Sequence, residues 1–100
     1  MPTVVTVLEA RVSQERASDL QAAFAQAAAG PFPAGLIRST LLRGAGDPTL
    51  WRIETTWRSH EALAAMRQAG KPRGIQIFES AGATPSLTIF EAVAELVGGA

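Results

Sequence analysis

One stretch of the sequence, from Leu50 to Ala69, brings together the side chains best suited to chemistry. Both tryptophans of the chain, Trp51 and Trp57, lie in its first half, and the only histidine, His60, follows directly. Histidine is the side chain whose ordinary pKa suits proton transfer near neutral pH. Large aromatic rings can form the floor of an apolar pocket, and they also fill cores. We therefore expect a pocket where this stretch changes from strand to helix.

Arg38 and Arg52 lie inside predicted strands, where an unpaired arginine is uncommon. Either guanidinium can donate hydrogen bonds to a negative charge on a bound molecule. The alternative is a cross-strand ion pair, for which Glu54 is an available partner. His60 has a similar alternative as an exposed, unreactive residue in the first turn of a helix. The loop 71–74, with Lys71 and Arg73, is basic and compatible with anion binding.

Four apolar side chains are candidates for the wall of the pocket: Trp57, Trp51, Met66 and Phe78. Packing in the core is the alternative interpretation for each of them. No metal-ligand spacing, phosphate-binding glycine loop or Ser-His-Asp arrangement is recognisable in the sequence. The residues therefore predict a site for an organic molecule rather than a metal site.

Length and composition limit the class of protein. One hundred residues predict a single domain over 1–100, and 47% apolar residues are enough to form its core. Nine basic and nine acidic residues give no net charge, so a nucleic-acid partner is not predicted. There is no cysteine, no secretory pattern at the N-terminus and no run of about 20 apolar residues. We expect a cytoplasmic protein without a membrane span.

Hydrophobic periodicity predicts four strands and two main helices around this stretch. The strands are expected at 3–12, 36–43, 50–58 and 86–96, and the helices at 14–29 and 60–69, with a short third helix over 75–81. Ser13 and Ser59 are the expected N-caps. The order β-α-β-β-α-β predicts an α+β, ferredoxin-like fold with both main helices on one face of the sheet.

The other face of that sheet is also expected to carry apolar residues, because strands one, two and four have them on both sides. A large uncovered apolar face is unusual for a soluble monomer. Pairing of two copies, sheet against sheet, would cover this face in both. We therefore predict a homodimer.

The segment Thr56-Trp57-Arg58-Ser59-His60-Glu61-Ala62-Leu63, together with this order of elements, resembles the antibiotic biosynthesis monooxygenase (ABM) family of the dimeric α/β-barrel superfamily. Gly82-Ala83-Thr84-Pro85 before the last strand and Phe90-Glu91 inside it add to the resemblance, which covers roughly residues 3–96. The resemblance implies a dimer whose sheets face each other. It also implies a small-molecule pocket between each sheet and its own helices.

Members of this family include cofactor-free oxygenases that act on anthrones or quinols, haem-degrading enzymes and proteins with no assigned reaction. Trp57 matches the tryptophan that closes the third strand in the family, whereas Met66 stands where many members have histidine or tryptophan. The haem-degrading branch uses an asparagine from the first strand and a late histidine, and this chain has neither. Haem degradation is therefore not expected. The anthrone oxygenases use asparagine and tyrosine beside tryptophan and arginine, and only the last two types are present.

The resemblance implies a cofactor-independent monooxygenase that acts on a small aromatic, quinol or anthrone-like molecule, with no metal and no cofactor. Such an enzyme needs a proton acceptor, donors for the resulting oxyanion and a dry apolar pocket. His60, Arg52 and Arg38 are the catalytic candidates. One alternative is a non-catalytic ligand-binding or stress-response protein of the same superfamily. A second is an isomerase or lyase that works on the same anion without oxygen.

Overall fold

The computed structural model describes residues 3–99 as a four-stranded antiparallel sheet with three helices on one face. The strands are β1 (Val4–Arg11), β2 (Leu36–Arg43), β3 (Leu50–Trp57) and β4 (Ser86–Glu91), in the spatial order β2-β3-β1-β4. The helices are α1 (Ala17–Ala28), α2 (His60–Gln68) and α3 (Arg73–Ser80). This is the predicted ferredoxin-like α+β fold, which is thereby confirmed. No helix among the described residues is long and apolar enough to cross a bilayer.

The alternating pattern of β3 decides which face of the sheet the helices cover. Trp51, Ile53, Thr55 and Trp57 are all buried, and they point toward the helices. The residues between them carry charges or stay partly exposed on the opposite face. Successive side chains of a strand point to opposite faces, so the apolar stripe is drawn under the helices.

The two serines predicted to cap helices behave differently. The hydroxyl of Ser59 accepts a hydrogen bond of 3.1 Å from the backbone N–H of Ala62, so this predicted cap is confirmed. Ser13 stands before a 3₁₀ turn, Gln14–Arg16, and its hydroxyl makes no capping bond. There the backbone carbonyl of Ser13 accepts from the N–H of Arg16 at 2.9 Å. The tighter i to i+3 bond of a 3₁₀ turn thus satisfies that donor.

The third helix is longer at its start than predicted. It spans Arg73–Ser80 rather than 75–81, so the second half of the expected 71–74 loop is helical. Pro72 precedes the helix with φ −57°, and its carbonyl accepts from the N–H of Gln76 at 3.2 Å. Proline is well suited to the start of a helix because its φ is already fixed near helical values.

The last strand is shorter than predicted, since β4 ends at Glu91 rather than at residue 96. The register pairs Val4 of β1 with Glu91, and one further bond joins the N–H of Ala92 to the carbonyl of Thr3. Beyond that point residues 93–99 have no neighbouring strand to bond with in a single chain. The alternation of Ala92 to Leu96 therefore does not make a strand by itself.

Gly35 fixes how closely the start of β2 approaches α2. A Cβ at this position would lie 2.4 Å from the Cβ of Ala62, and the φ of Gly35 is +86°. Its carbonyl accepts from the N–H of Arg58 at 2.8 Å. Glycine is required because it alone adopts this backbone conformation readily and leaves room for the helix.

The β2–β3 turn is stabilised by Asp47. Its carboxylate accepts from the N–H of Thr49 at 3.0 Å and from the Thr49 hydroxyl at 2.7 Å, and it forms an ion pair with Arg11 of β1. These contacts, with Arg11 as the largest cause, lower the pKa of Asp47 from 3.8 to about 2. The turn therefore prefers the ionised carboxylate.

We expect the Asp47 contacts to make folding stability depend on pH in the acid range. The folded-state pKa is lower than the ordinary value, so the contribution is complete above about pH 5 and is lost as pH falls toward 2. Asp47→Asn should flatten this part of the profile, measured as the free energy of unfolding in urea at several pH values. A variant that loses stability in acid as steeply as the wild type would contradict the assignment.

Candidate functional site

The buried core under the helices is divided into two clusters. The larger includes Leu20, Ile53 and Phe78, and the smaller consists of Val4, Trp57 and Leu63 with Leu36 and Met66 packed against it. Protein cores normally contain few voids larger than a water molecule. The separation of the core into two clusters therefore needs a structural explanation.

A cavity of about 450 Å³ lies between the sheet and the helices, and both clusters contribute to its wall. From the larger cluster come Leu8, Ile53 and Ile77, and from the smaller come Trp57 and Leu63. Its volume falls in the range of about 300–1,000 Å³ that is typical of ligand sites. The wall is mostly apolar, which suits a ring system rather than a sugar or a nucleotide.

A few hydroxyl groups interrupt the apolar wall. Thr6 and Thr55 are buried, and both line the cavity with Ser39. The hydroxyls of Ser39 and Thr55 are 2.9 Å apart, and the indole Nε1–H of Trp57 donates to the Thr6 hydroxyl at 3.1 Å. These contacts fix the ring plane of Trp57 and leave few polar atoms for a ligand.

Three of the seven residues predicted from the sequence line the cavity: Trp57, Met66 and Arg38. Trp57 ends β3, and Met66 lies on the inner side of α2. Arg38 follows an irregularity in β2 where the pairing skips Ile37. It is exposed and pairs with Thr56, on the sheet face away from the helices, so it meets the cavity wall at the edge of the sheet. A bulge of this kind re-aims side chains at the edge of a sheet.

Arg52 lies on the face of the sheet away from the helices and does not line the cavity. Its guanidinium bonds to Glu9 at 2.6 Å and to Glu54 at 3.2 Å, and these contacts, Glu9 first, raise its pKa above the ordinary value. The partner considered from the sequence, Glu54, does pair with Arg52, but it lies two residues along the same strand; the cross-strand partner is Glu9 of β1. The period of two in β3 separates Arg52 from the buried tryptophans.

His60 is also outside the cavity. It occupies the first turn of α2, is exposed, and its Nε2 lies 2.6 Å from Glu91 Oε2 at the end of β4. The contact joins the start of α2 to the edge strand of the sheet. In this position the imidazole does not reach a molecule held between the sheet and the helices.

Trp51 and Phe78 belong to the larger core cluster and do not line the cavity. Phe78 is completely buried on the inner side of α3. Trp51 lies at the far end of β3 from Trp57, six residues away, and the guanidinium of Arg43 lies over its ring at 5.7 Å. Sharing a face of β3 with Trp57 is thus not sufficient to place Trp51 in the cavity.

Several lining residues were not identified from the sequence. They include Thr6, Ser39 and Thr55, Phe24 and Ala27 of α1, and Arg67 at the end of α2. Hydroxyl residues inside an otherwise apolar buried stripe were the available signal for Thr6 and Thr55. No sequence signal identifies Arg67, because its position depends on how α2 packs against the sheet.

The two tryptophans differ in hydrogen bonding, because the buried Nε1 of Trp57 has a partner and that of Trp51 has none among residues 3–99. We expect Trp57→Phe to cost about 1 kcal/mol more stability than Trp51→Phe, because it leaves the buried Thr6 hydroxyl unpaired. Among residues 3–99 the buried Nε1 of Trp51 has no partner, so its removal breaks no bond. Denaturant unfolding of both variants measures the difference. Equal losses would show that the bond contributes nothing.

A metal site has no structural support within the part of the chain that is described. Residues 3–99 contain no group of three histidine, cysteine, aspartate or glutamate side chains close enough to hold an ion.

Comparison with known proteins places this geometry in a wider group. The ABM domain model, "Antibiotic biosynthesis monooxygenase", matches residues 3–75. A variant of SnoaB, a cofactor-independent oxygenase from Streptomyces nogalater, superposes with a TM-score of 0.73 at 23% identity, covering 94% of this chain and 96% of that one. The likeness to SnoaB shows the shared fold.

A haem-degrading protein from Mycobacterium tuberculosis also superposes, with a TM-score of 0.73 at 28% identity, over 97% of this chain and 98% of that one. No curated protein sequence matches this chain. The domain match covers well over half of the residues, and the solved structures share the fold over nearly the full length. The chain belongs to the antibiotic biosynthesis monooxygenase family.

Proposed function

We propose that this protein is a cofactor-independent monooxygenase that oxidises a small aromatic, quinol or anthrone-like molecule in the cavity between its sheet and helices. The observation that carries the proposal is the 450 Å³ apolar cavity with Trp57 in its wall. Membership of the ABM family and the fold shared with SnoaB support the same reaction class.

The proposed reaction begins with the substrate as an anion. In an anthrone the deprotonated ring system is electron-rich and can pass electrons to molecular oxygen. The CH₂ carbon becomes a carbonyl, one oxygen atom enters the product and the other leaves as water. Arg38 is the proposed donor to the oxyanion, and the apolar wall strengthens this contact by excluding water.

The described lining residues include no histidine, aspartate, glutamate or lysine. Proton removal therefore depends on the acidity of the substrate and on the arginine that stabilises its anion. His60 and Arg52 have no part in the proposed reaction, because neither lines the cavity. The rate should then rise with pH until the substrate is fully ionised.

One related structure is a haem-degrading protein, which makes haem a ligand to compare with this cavity. Haem iron is held in proteins by histidine, cysteine, tyrosine or methionine. Of the described lining residues only Met66 is one of these types, and the single histidine is engaged with Glu91 outside the cavity. The residues therefore fit haem poorly, and we propose no step that involves it.

The second candidate is a protein that binds the same class of molecule without transforming it. The observation that favours it is that the described lining residues include no histidine, aspartate, glutamate or lysine to transfer a proton. The two candidates share one ligand class and differ in turnover. Oxygen consumption therefore separates them.

The test is oxygen uptake with 1,8-dihydroxyanthrone and 1,4-naphthohydroquinone, corrected for autoxidation without protein. We expect uptake with at least one of them and incorporation of one labelled atom from ¹⁸O₂. Arg38→Gln should reduce the rate, whereas Arg58→Gln, an exposed arginine that does not line the cavity, serves as the control. Binding without uptake above background would support the second candidate instead.

We also propose that two copies pair through the uncovered sheet face. Phe90 is 52% exposed there, and Val93 and Leu96 beyond β4 are 94% and 93% exposed. Val5 and Val7 of β1 lie on the same face as Phe90. Light scattering should give twice the chain mass of 10.5 kDa. A single-chain mass at micromolar concentration would exclude the dimer.

A further inference from the structure

The cavity has an uneven share of the charged residues. Arg38, Arg67 and Arg73 line it, although the protein as a whole carries nine basic and nine acidic residues. None of the described lining residues is acidic. An apolar cavity whose charges are all of one sign concentrates the field at its opening, because the low-dielectric wall screens charge poorly.

From this asymmetry we propose that Arg67 and Arg73 bind a permanent negative charge on the ligand, a carboxylate or phosphate attached to its aromatic body. The inference rests on the proposed function only in taking this cavity as the ligand site. It differs from the role of Arg38, which concerns the oxyanion formed during the reaction. Within the proposed aromatic class, the preferred ligand is accordingly one that also carries an acid group.

The two arginines come from different elements and line the same cavity from its solvent-exposed side. Arg67 is in the last turn of α2 and Arg73 opens α3, and both are exposed while lining the cavity. Arg73 donates one hydrogen bond, from Nη1 to the carbonyl of Pro31 at 3.0 Å. A guanidinium has five N–H donors, so this bond orients the group and leaves donors for a ligand.

Neither guanidinium is neutralised within the described chain. No carboxylate of residues 3–99 forms an ion pair with Arg67 or Arg73. Glu79 of α3 is bound instead to Lys71 at 2.6 Å. The acidic group on this side is thus used by the lysine, and the two arginines keep their full charge for a ligand.

There is space for the anionic group beside the main cavity. A recess of about 220 Å³ shares Pro33, Met66 and Arg73 with the cavity wall. Lys71 and Gln76 line it together with Ala69 and Gly70, so it is more polar than the cavity. A ligand can place its rings against Trp57 and its acid group where the recess meets the cavity, since Arg73 lines both spaces and Arg67 lines the cavity. Guanidinium groups form paired bonds with carboxylates and phosphates.

The test compares three probes with one ring system: 2-naphthoate, its neutral analogue 2-naphthamide, and 2-naphthyl phosphate. Calorimetry or equilibrium dialysis of the wild-type protein should show at least one anion binding about tenfold or more tightly than the amide. Added NaCl should weaken binding of the anion and leave binding of the amide unchanged. The preferred anion then identifies the acid group.

Variants assign the effect to named residues. Arg67→Gln and Arg73→Gln should each weaken binding of the anion about three- to tenfold, and the double variant should weaken it more. None of these variants should change binding of the amide more than twofold. Arg58→Gln is the matched control, because Arg58 is also exposed, pairs with no carboxylate of residues 3–99 and does not line the cavity.

Equal affinity for the anions and the amide would overturn the inference, as would anion binding that survives both substitutions or no binding of any probe at 1 mM. The measurement needs no turnover. Tight anion binding without oxygen uptake would therefore reject the oxygenase and keep the inference. Oxygen uptake with no preference for an acid would support the oxygenase and reject the inference about Arg67 and Arg73.

Discussion

Replacing Phe78 with alanine is expected to lower the free energy of unfolding by about 3–5 kcal/mol, the usual cost of deleting a fully buried ring. Phe78 lies on the inner side of α3, in the same cluster as Leu20 of α1 and Ile53 of β3. A domain of this size is typically stable by about 5–15 kcal/mol, so the substitution removes a large part of that stability.

Denaturant unfolding of Phe78→Ala beside Phe32→Ala gives the measurement and its control. Phe32 is 58% exposed, so its truncation should cost less than about 1 kcal/mol. The two substitutions remove the same atoms, and the largest difference between the two sites is burial. Similar losses in both variants would contradict the placement of Phe78 in the core.

A milder substitution asks whether Phe78 also binds a ligand, as considered from the sequence. Phe78→Leu keeps an apolar side chain and should leave the protein folded. Because Phe78 does not line the cavity, affinity for 2-naphthoate or 2-naphthamide should change less than twofold. A tenfold loss of affinity in a folded variant would show that Phe78 contributes to the binding site.

The periodicity of β3 was enough to predict which residues share a face. The same alternation separates Arg52 from the pocket. The helices cover the apolar face of β3, and Arg52 lies on the opposite face. The predicted set of site residues combined side chains from both faces, Trp51 and Trp57 from one and Arg52 from the other. Face assignment needs the pattern together with the rule that the more apolar face is buried.

The end of β4 could not be predicted in this way. Residues 92–96 continue the alternation of a strand, but a strand also needs a partner, and the pairing with β1 reaches only from Ser86 to Glu91. The length of an edge strand depends on its neighbour, which the local pattern does not contain. If two copies pair, the partner chain is a source of the missing bonds.

The mouth of the cavity shows the limit of local patterns most clearly. The predicted basic loop 71–74 indicated anion binding, and in the fold Arg73 of that segment and Arg67 of the preceding helix line the same cavity. In the sequence these arginines are six residues apart and look like ordinary solvated charges. Their common position depends on the turn between α2 and α3.

Filling the cavity should abolish binding without unfolding the protein. Ala27 of α1 is partly buried and lines the cavity, so the ring of Ala27→Phe has space to point inward. We expect affinity for the aromatic probes to fall at least about tenfold, and any oxygen uptake to fall with it. Stability should stay equal or rise by up to about 1 kcal/mol, because filling a void commonly stabilises.

Ala25→Phe is the matched control, since Ala25 is exposed on the same helix and does not line the cavity. Both variants carry the same loss of helix propensity, about 0.5 kcal/mol relative to alanine. Any difference between them therefore reports the cavity. Unchanged probe binding in a folded Ala27→Phe protein would place the ligand elsewhere. Loss of binding only in Ala27→Phe would show that the space between sheet and helices is where the aromatic molecule binds, since the added ring competes for that volume.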